Sequence, residues 1–391
     1  MSYYPKDKLG KYIDILSGFA FKSKDFSDKG IPVIKIKNIN PPCVTLNDLT
    51  YVPYSIACQN SKYILKKGDI LIAMTGSHIN QIASVVGRVG RVLYDDMTVL
   101  NQRVGKIINI DKDNINLDYV YYFLSQYSVK VELAQKAGGA ANQANISPSD
   151  IKNLWFPCPQ INIQNRIAEI LSRYDSLIEN YQKQIKLLEE SAQRLYKEWF
   201  VDLRFPGYEN TKIMDGVPEG WEKMCLGELV CFKRGKTITK KEIIEGNIPV
   251  VAGGTEPAYY CNKSNTGNRV ITISASGANA GYTRMYFEKI WASDCSFIDC
   301  SMTNYFHFVY CHLIANKIAI DNLQKGAAQP HVYPKDINAL ALYCPHNDIL
   351  DSFESKISYY FDLISSLQKQ IHKLFEARDR LLPKLMNGEF L

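Results

Sequence analysis

Two long stretches of the chain carry apolar or small residues at alternating intervals of four and three. The first runs from Ile167 to Trp199 and the second from Phe353 to Leu385, 186 residues further on, with Arg378 as the one break. One such stripe is ordinarily the buried face of a core helix, but two in-phase stripes favour helices packed as a coiled coil. A helix of ~33 residues spans about 50 Å. The predicted seam comprises Ile167, Leu171, Ile178, Ile185, Leu188, Leu195, Ile357, Ile364, Leu367, Ile371, Leu374 and Leu381.

These two stretches belong to a longer internal repeat. Leu9 and Gly10 recur as Leu226 and Gly227, 217 residues later, and Gly18 recurs at the same offset. The offset is 201 at residues 73–76 and 186 at residues 143–159, so the second copy has the same design with shorter loops. We predict a globular copy at 1–160, a helical segment at 161–204, a second globular copy at 205–346 and a second helical segment at 347–391.

Each globular copy has the pattern of a mixed α/β domain. Short β-branched and apolar runs bounded by Gly and Asn predict strands, and longer Tyr-rich or apolar stretches predict helices. The fold class is therefore α+β, with two mixed domains in tandem and two long helices. The first copy has predicted strands at 31–39, 69–74 and 103–110 and a helix at 117–135, and the second has strands at 247–252 and 269–274 and a helix at 305–320.

Composition excludes several classes of protein. The first ten residues are polar and charged, which argues against a secretory signal, and the apolar runs are far shorter than the ~20 residues of a membrane helix. The ten cysteines include no Cys-x-x-Cys pair, and their density is too low for a disulfide scaffold. We expect a reduced, cytoplasmic protein. The net charge of +6 divides into +7 on the globular copies and −1 on the helical segments.

Motifs for catalysis are weak throughout. The sequence Arg234-Gly-Lys-Thr237 resembles the end of a phosphate-binding loop, but Val230 stands where that loop needs glycine. The sequence Asn40-Pro-Pro-Cys43 resembles an amino-methyltransferase tetrapeptide without its aromatic residue. There is no His-Glu-x-x-His and no Gly-x-Ser-x-Gly. We therefore predict no catalytic residue, no metal ligand and no cofactor for this chain.

Cationic and amide side chains cluster instead in equivalent regions of both copies. Lys and Arg neutralise phosphates, and Asn, Gln and Arg can read base edges. The tract 136–143 and its repeat at 325–329 also contain small residues that allow close backbone approach. A solvated surface, or a flexible loop for the two tracts, is the alternative. The candidate DNA-binding residues are Lys22, Lys24, Lys35, Lys37, Thr75, Ser77, Asn80, Gln81, Arg88, Arg91, Gln102, Lys136, Gln143, Lys233, Arg234, Lys236, Ser276, Asn279, Arg284, Lys325 and Gln329.

This arrangement resembles the specificity subunits of type I restriction–modification systems. The resemblance covers nearly the whole chain and depends on the order of globular domain, long helix, globular domain, long helix. Each passage that carries it is weak alone, but together they are specific. They are Leu9-Gly10 with Gly18-Phe-Ala-Phe21, Asn145-Ile-Ser-Pro-Ser-Asp-Ile151, Gln164-Asn-Arg-Ile-Ala-Glu-Ile-Leu171, Arg194-Leu-Tyr-Lys-Glu-Trp-Phe200 and Leu381-Leu-Pro-Lys-Leu-Met-Asn-Gly388.

The resemblance implies a non-catalytic subunit that binds double-stranded DNA. Each globular copy would be a target-recognition domain for one half of a split sequence, and the helices, packed antiparallel, would set the gap. Two modification subunits would bind S-adenosylmethionine and methylate adenine. Restriction subunits would use ATP and Mg²⁺ for translocation and cleavage. The helices, including Trp199 and Phe200, are expected contacts for modification subunits, with packing inside the coiled coil as the alternative.

Two other interpretations stay open at this point. One is a stand-alone enzyme, such as a nuclease or methyltransferase, which would act on DNA without partners. The other is a coiled-coil DNA-binding scaffold or regulator outside restriction–modification, which would bind DNA without directing methylation. Adjacent methyltransferase and helicase-nuclease genes would distinguish this last interpretation from a specificity subunit.

Overall fold

The computed structural model describes residues 3–76, 85–137, 144–239, 242–326 and 329–389. The chain divides into two compact units. Unit 1 comprises Met1–Asn180 with His372–Leu391, and unit 2 comprises Tyr181–Ile371. Each unit therefore contains one globular copy together with part of both long helices.

Unit 1 is built on two β-sheets. The larger sheet has six strands, and the smaller sheet has four. Most neighbouring strands are antiparallel, but Val89–Arg91 with Cys43–Val44 and Thr98–Leu100 with Ile31–Ile34 are parallel. In spatial order the larger sheet is Ile13–Ser17, Val104–Asn109, Ile70–Ala73, Val89–Arg91, Cys43–Val44 and Ile39–Asn40, and the smaller is Thr50–Val52, Ile31–Ile34, Thr98–Leu100 and Ile64–Leu65.

Helices and two strand pairs complete unit 1. Lys6–Lys8 pairs with Trp155–Pro157, and Thr75–Gly76 pairs with Ala144–Asn145. The predicted helix at 117–135 is interrupted, because Gln126 has extended backbone angles. The predicted strand at 31–39 ends at Ile34, where a 3-10 turn follows. The helices are Tyr54–Gln59, Leu117–Ser125, Tyr127–Lys136 and Pro148–Lys152, with 3-10 turns at Leu9–Lys11, Ser23–Asp25, Ile36–Asn38 and Ser61–Tyr63.

Unit 2 has the same design with smaller sheets. Its four-stranded sheet has the order Lys233–Arg234, Cys295–Asp299, Val270–Ser274 and Thr283–Tyr286, and its three-stranded sheet has the order Tyr259–Cys261, Ile248–Val251 and Trp291–Ala292. Further strand pairs are Glu222–Cys225 with Ala341–Cys344 and Ile213–Met214 with Val217–Pro218. The helices are Leu226–Leu229, Phe306–Ala315, Lys317–Asp321 and Pro334–Asn338, with 3-10 turns at Tyr208–Asn210 and Gly277–Asn279.

The predicted helix at 305–320 of unit 2 is also interrupted. Asn316 separates Phe306–Ala315 from Lys317–Asp321, and its amide donates to the His312 carbonyl at 2.9 Å. Asparagine side chains compete in this way with the backbone bonds of a helix. The hydrophobic period alone could not reveal the break, because apolar residues continue on both sides of it.

Two long helices run through both units, Ile161–Phe200 and Asn347–Asn387. In unit 1 Asp175, in the first half of the first helix, bonds Arg378 near the end of the second. In unit 2 Trp199, at the end of the first helix, packs on Phe353 near the start of the second, with ring centroids 5.6 Å apart. The helices are therefore antiparallel within each unit. All twelve seam residues predicted from the sequence are buried or half-buried.

Repeated glycines mark equivalent close contacts in the two units. A Cβ atom on Gly10 would lie 2.7 Å from Lys152 Cβ, and one on Gly227 would lie 2.8 Å from Asn338 Cβ. Both distances are too short for any residue with a side chain. The neighbouring backbone bonds also correspond, since Leu9 N donates to Leu154 O at 3.0 Å and Leu226 N donates to Leu340 O at 2.8 Å. The repeat in the sequence therefore corresponds to the same packing contacts in both units.

Candidate nucleic-acid interface

In each unit, two polar segments that are distant in sequence meet through backbone pairing. In unit 1 Thr75 pairs with Asn145, and Ile146 N donates to Met74 O at 2.9 Å. In unit 2 Ser276 pairs with His331, and Val332 N donates to Ala275 O at 3.0 Å. The repeat offsets of 201 and 186 relate these pairs residue by residue. We call each arrangement a loop junction. The segments predicted to bind DNA start from these junctions.

Part of the unit 1 candidate set lies outside the described residues. The segments 77–84 and 138–143 follow and precede the paired strands of the junction. Thr75 itself is buried in the paired strand at 7% exposure, which does not favour its predicted contact with DNA. Four candidates fall in the two segments that are not described: Ser77, Asn80, Gln81 and Gln143.

The junction of unit 2 includes a second backbone pairing, between Lys325 and His331. Lys325 N donates to His331 O at 2.9 Å, and His331 N donates to Lys325 O at 2.8 Å. The Lys325 ammonium bonds both carboxylate oxygens of Asp336 at 2.8 Å. Gln329, two residues before His331, is exposed, and the His331 ring stacks on Tyr333 with centroids 6.0 Å apart. The two candidates from the tract 325–329 therefore lie beside the candidate Ser276.

A carboxylate that the sequence analysis missed joins two candidates at this junction. Asp294 accepts a hydrogen bond from Arg234 Nη2 at 2.5 Å through Oδ1 and one from the Ser276 hydroxyl through Oδ2. Its carbonyl accepts from Ala275 N at 3.2 Å. We call Arg234, Ser276 and Asp294 the Asp294 cluster. Composition gave no signal for it, because the contact depends on the register of strands far apart in sequence.

The equivalent position in unit 1 is occupied by Arg103. Met74 N donates to Arg103 O at 2.9 Å, as Ala275 N does to Asp294 O, and the offset of 201 relates Met74 to Ala275. Arg103 and the neighbouring candidate Gln102 are both exposed. One backbone position at the junction therefore carries a cation in unit 1 and an anion in unit 2.

The other candidate DNA-binding residues of unit 2 differ in exposure and in the contacts that they make within the unit. Lys233, Lys236 and Asn279 are exposed. Arg284 is half-buried, bonds the Thr255 carbonyl at 2.5 Å, pairs with Glu256 at 3.2 Å and lies over the Tyr286 ring at 4.8 Å. Arg284 is therefore held by its own unit more firmly than the lysines are.

The lysines of unit 1 fall into two groups. Lys22 and Lys24 are exposed. Lys37 pairs with Asp48, and Lys35 donates to Thr50 Oγ1 at 3.0 Å and lies 4.6 Å from the Phe26 ring centroid. Burial, together with the Lys37 charge, lowers the pKa of Lys35. The placement of Lys35 and Lys37 favours contacts inside the unit over contacts with phosphate.

Two further candidates of unit 1 border the segments that are not described. Arg88 is half-buried next to the strand Val89–Arg91. Lys136 is exposed at the end of its helix and pairs with Glu132 one turn earlier at 2.6 Å. An exposed pair of this kind contributes little to stability, so the Lys136 ammonium can exchange Glu132 for a phosphate at small cost.

Arg91, a predicted DNA contact, lies largely buried within unit 1. Its side chain is only 14% exposed, pairs with Asp118 at 2.9 Å and lies 3.8 Å from Asp175. The guanidinium carbon also lies 3.9 Å from the Tyr121 ring centroid. A buried, fully surrounded guanidinium contributes to packing of the unit, and this position does not favour the predicted DNA contact.

Arg91 belongs to a charged cluster that connects the sheet to both long helices. Asp175 on the first long helix accepts from Arg378 Nη1 at 2.8 Å and from the Tyr122 hydroxyl at 2.6 Å. Burial is the main cause that raises the pKa of Tyr122, so this hydroxyl stays protonated and donates. We call Arg91, Asp175 and Arg378 the Asp175 cluster. Arg378, the one break in the predicted seam, is thereby explained.

Trp199 and Phe200 are used in packing within unit 2. Trp199 is 5% exposed, and the Phe200 ring lies 4.8 Å from Phe353 and 4.9 Å from Phe308, centroid to centroid. This burial favours the alternative, packing within the unit, over the expected role of Trp199 and Phe200 as contacts for modification subunits.

Neither a metal-binding cluster nor a membrane-spanning helix lies in the described part of the chain. No group of three or more His, Cys, Asp or Glu side chains there is arranged to hold a metal ion. Within the same residues, no helix is both long and apolar enough to span a bilayer.

Comparison with known proteins adds independent findings. The family described as type I restriction modification DNA specificity domain matches residues 6–190 and 218–388. The type I restriction enzyme MjaIX specificity subunit of Methanocaldococcus jannaschii is 29% identical over 390 residues, covering 92% of this chain and 89% of the relative. The putative MjaX specificity subunit of that organism is 26% identical, covering 94% and 89%. The crystal structure of a type I S subunit from M. genitalium has a TM-score of 0.58 at 20% identity, covering 98% and 96%, which shows a shared fold.

Proposed function

The chain belongs to the type I restriction–modification DNA specificity family, as a DNA sequence-specificity subunit with two recognition domains, and we propose that each unit reads one half of a split duplex sequence. The observation that carries this proposal is the repeated loop junction. Thr75 with Asn145 and Ser276 with His331 join equivalent polar segments in the two units. Two equivalent surfaces with different side chains are suited to reading two different half-sites.

The charge distribution supports DNA as the ligand of these surfaces. Exposed cations include Arg103 at the unit 1 junction, Lys136 at the end of a helix that precedes this junction in sequence, and Lys233 and Lys236 on either side of Arg234 in unit 2. Such side chains bind phosphate and set the register of a protein on duplex DNA, whereas base-edge contacts carry the sequence information. Unit 1 has most of the positive charge. Its binding should therefore decrease more steeply with salt than that of unit 2.

The partners that we propose follow from the family. The relatives are named as specificity subunits of type I restriction enzymes. For this chain we propose a non-catalytic role in a complex with two modification subunits, which supply S-adenosylmethionine and methylate adenine. Restriction subunits with ATP and Mg²⁺ would complete the complex. Localisation in the cytoplasm, where chromosomal DNA is accessible to such a complex, is part of the same proposal.

The long helices are proposed to set the gap between half-sites. They have 40 and 41 residues, which at 1.5 Å per residue corresponds to about 60 Å each. Half-sites one DNA turn apart are separated by roughly 34–36 Å. Deleting one heptad from each helix should shorten the gap in the methylated sequence. An unchanged gap would contradict this role.

The proposed function can be tested by co-expressing the full chain with its neighbouring modification subunit, followed by genome-wide mapping of methylated adenine. We expect one bipartite sequence, methylated in both halves and separated by a fixed gap. The control is the modification subunit expressed without this chain, which should give no such pattern. Sequence-specific DNA binding without methylation would instead favour a scaffold or regulator outside restriction–modification. Methylation or cleavage by the purified chain alone would favour an enzyme.

A further inference from the structure

We propose that Asp294 is a positioning residue for DNA recognition by unit 2, holding the Arg234 guanidinium and the Ser276 hydroxyl in fixed places at the loop junction. This inference rests on the proposed function and assigns a role within it. Asp294 need not touch DNA for this role. It acts through Arg234, which is exposed enough at 43% of its side chain to reach a duplex.

The geometry of the Asp294 cluster supports a fixed arrangement. The carboxylate binds Arg234 through one oxygen and Ser276 through the other, and its backbone carbonyl binds Ala275 N. Arg234 comes from the edge strand Lys233–Arg234, whereas Ser276 follows the strand Val270–Ser274. Asp294 directly precedes the strand Cys295–Asp299, which lies between those two in the sheet. One carboxylate thus connects segments next to all three strands.

Asp294 cannot act by attracting DNA, because the carboxylate and the DNA backbone are both negatively charged. Asp294 pairs with Arg234, which has the exposed Lys233 and Lys236 on either side of it in sequence, and a carboxylate there repels phosphate and lowers overall DNA affinity. A guanidinium, however, has five donors in one plane, so a carboxylate that accepts one or two of them fixes the direction of the others. Asp294 therefore lowers affinity for any duplex and increases the geometric selectivity of Arg234.

The two units differ at this position in a way that fits a specificity role. By strand register, Ser17 pairs with Gly105 in unit 1 where Arg234 pairs with Ser296 in unit 2. Arg103 stands in unit 1 where Asp294 stands in unit 2. Unit 1 thus has a cation on the loop and a hydroxyl on the strand, while unit 2 has an anion on the loop and a cation on the strand. Domains that recognise different bases are expected to differ at such a position.

A selection experiment tests the effect on specificity. The purified full chain and its Asp294→Asn variant are each used to enrich duplexes from a randomised library. Asparagine retains a hydrogen-bond acceptor for Ser276 but loses the charge that holds Arg234. We expect wild type to enrich a bipartite sequence and the variant to lose about tenfold in discrimination at one half only, the size of one good base contact. Equal discrimination by both proteins would overturn the positioning role.

A salt titration tests the same role without any sequence preference. Binding to duplex of randomised sequence is measured against salt for wild type, Asp294→Asn and Asp294→Asn with Arg234→Ala. We expect tighter binding by the single variant and a slope steeper by about 0.9, because Arg234 is released for one more phosphate. The double variant should return to the wild-type slope. Identical slopes for wild type and the single variant would overturn the proposal.

A matched control separates this role from a general effect of losing a carboxylate. Asp202 pairs with the exposed Lys197 at 2.6 Å, directly after the first long helix in unit 2. Asp202→Asn should change neither the enriched sequence nor the salt slope. If wild type enriches no bipartite sequence, the proposed function fails, while the salt titration still decides on Asp294 by itself.

Discussion

At one equivalent place where the globular part packs on the long helices, unit 1 has charged residues and unit 2 has apolar ones. Strand register relates Arg91 to Met285, since Arg91 pairs with Ile70 and Met285 with Ile271. The offset of 186 relates Asp175 to Phe361 and Ala192 to Arg378. The Asp175 cluster of unit 1 therefore corresponds to a set of Met285, Phe361 and Ala192, all of which are buried in the core of unit 2.

The comparison shows that the same backbone arrangement can pack on the long helices through either ion pairs or apolar contacts. Buried ion pairs lose hydration, so they add little net stability compared with apolar residues of similar size. Their removal one partner at a time is nevertheless costly, because the remaining charge is buried without compensation. Unit 1 should therefore be sensitive to single substitutions in its cluster and tolerant of replacing the whole cluster.

The largest effect is expected from Asp175→Asn. This change removes the anion that Arg91 and Arg378 share, at 14% and 17% side-chain exposure, and leaves them only the more exposed carboxylates of Asp118 and Asp379. We expect a loss of about 3–5 kcal/mol in the stability of unit 1. Hydrogen exchange of amides in Leu117–Ser125 measures it, since Tyr122 on that helix also bonds Asp175.

The control for this variant lies on the same helix. Glu169 pairs with Arg173 one turn later, and both side chains are mostly exposed. Glu169→Gln should change stability by no more than about 0.5 kcal/mol. Equal losses of stability from the two substitutions would show that the Asp175 cluster contributes no more to unit 1 than an exposed ion pair does.

A loss of stability of intermediate size is expected for unit 2 when the pH is lowered. His312 is 5% exposed, its Nδ1 lies 2.9 Å from the Tyr196 hydroxyl, and burial lowers its pKa to about 4. An unfolded histidine titrates near its ordinary pKa of about 6.5, so below that pH the unfolded state binds a proton that the folded state does not. Stability should therefore fall by up to about 3 kcal/mol as the pH drops from about 6.5 to about 4.

Urea unfolding followed by tryptophan fluorescence measures this pH dependence. Trp199, Trp221 and Trp291 are buried in unit 2, whereas Trp155 of unit 1 is mostly exposed. The difference between wild type and His312→Gln isolates the histidine from other groups that titrate in acid. Parallel stability curves for the two proteins would contradict the assignment.

The smallest effect is expected from exchanging the whole cluster. Arg91→Met, Asp175→Phe and Arg378→Ala together give unit 1 the residues of unit 2. We expect the stability of unit 1 to stay the same or to rise by about 1–2 kcal/mol, because the desolvation cost of three charges is removed. A loss as large as that of Asp175→Asn alone would mean that the two units are not equivalent at this interface.

The sequence predicted the features that depend on periodicity and repetition. The heptad seam and the mixed α/β domains are confirmed because spacing along a helix or strand determines which residues share a face. The breaks at Gln126 and Asn316 were missed because apolar residues continue past them. Asp294 was missed because its partners are set by strand register, and nothing in the local sequence shows that Asp118 and Asp175 surround the candidate Arg91.

The central claim is that each unit reads its own half of one target, and methylation mapping of a unit-specific variant tests it most directly. Replacing Lys233, Arg234 and Lys236 with alanine removes the exposed cations next to the unit 2 junction. In the assembled complex we expect one half of the bipartite sequence to become degenerate while the other half and the gap persist. Replacing Gln102 and Arg103, at the unit 1 junction, with alanine should have this effect on the other half instead. If both halves change together, or neither changes, the account is contradicted.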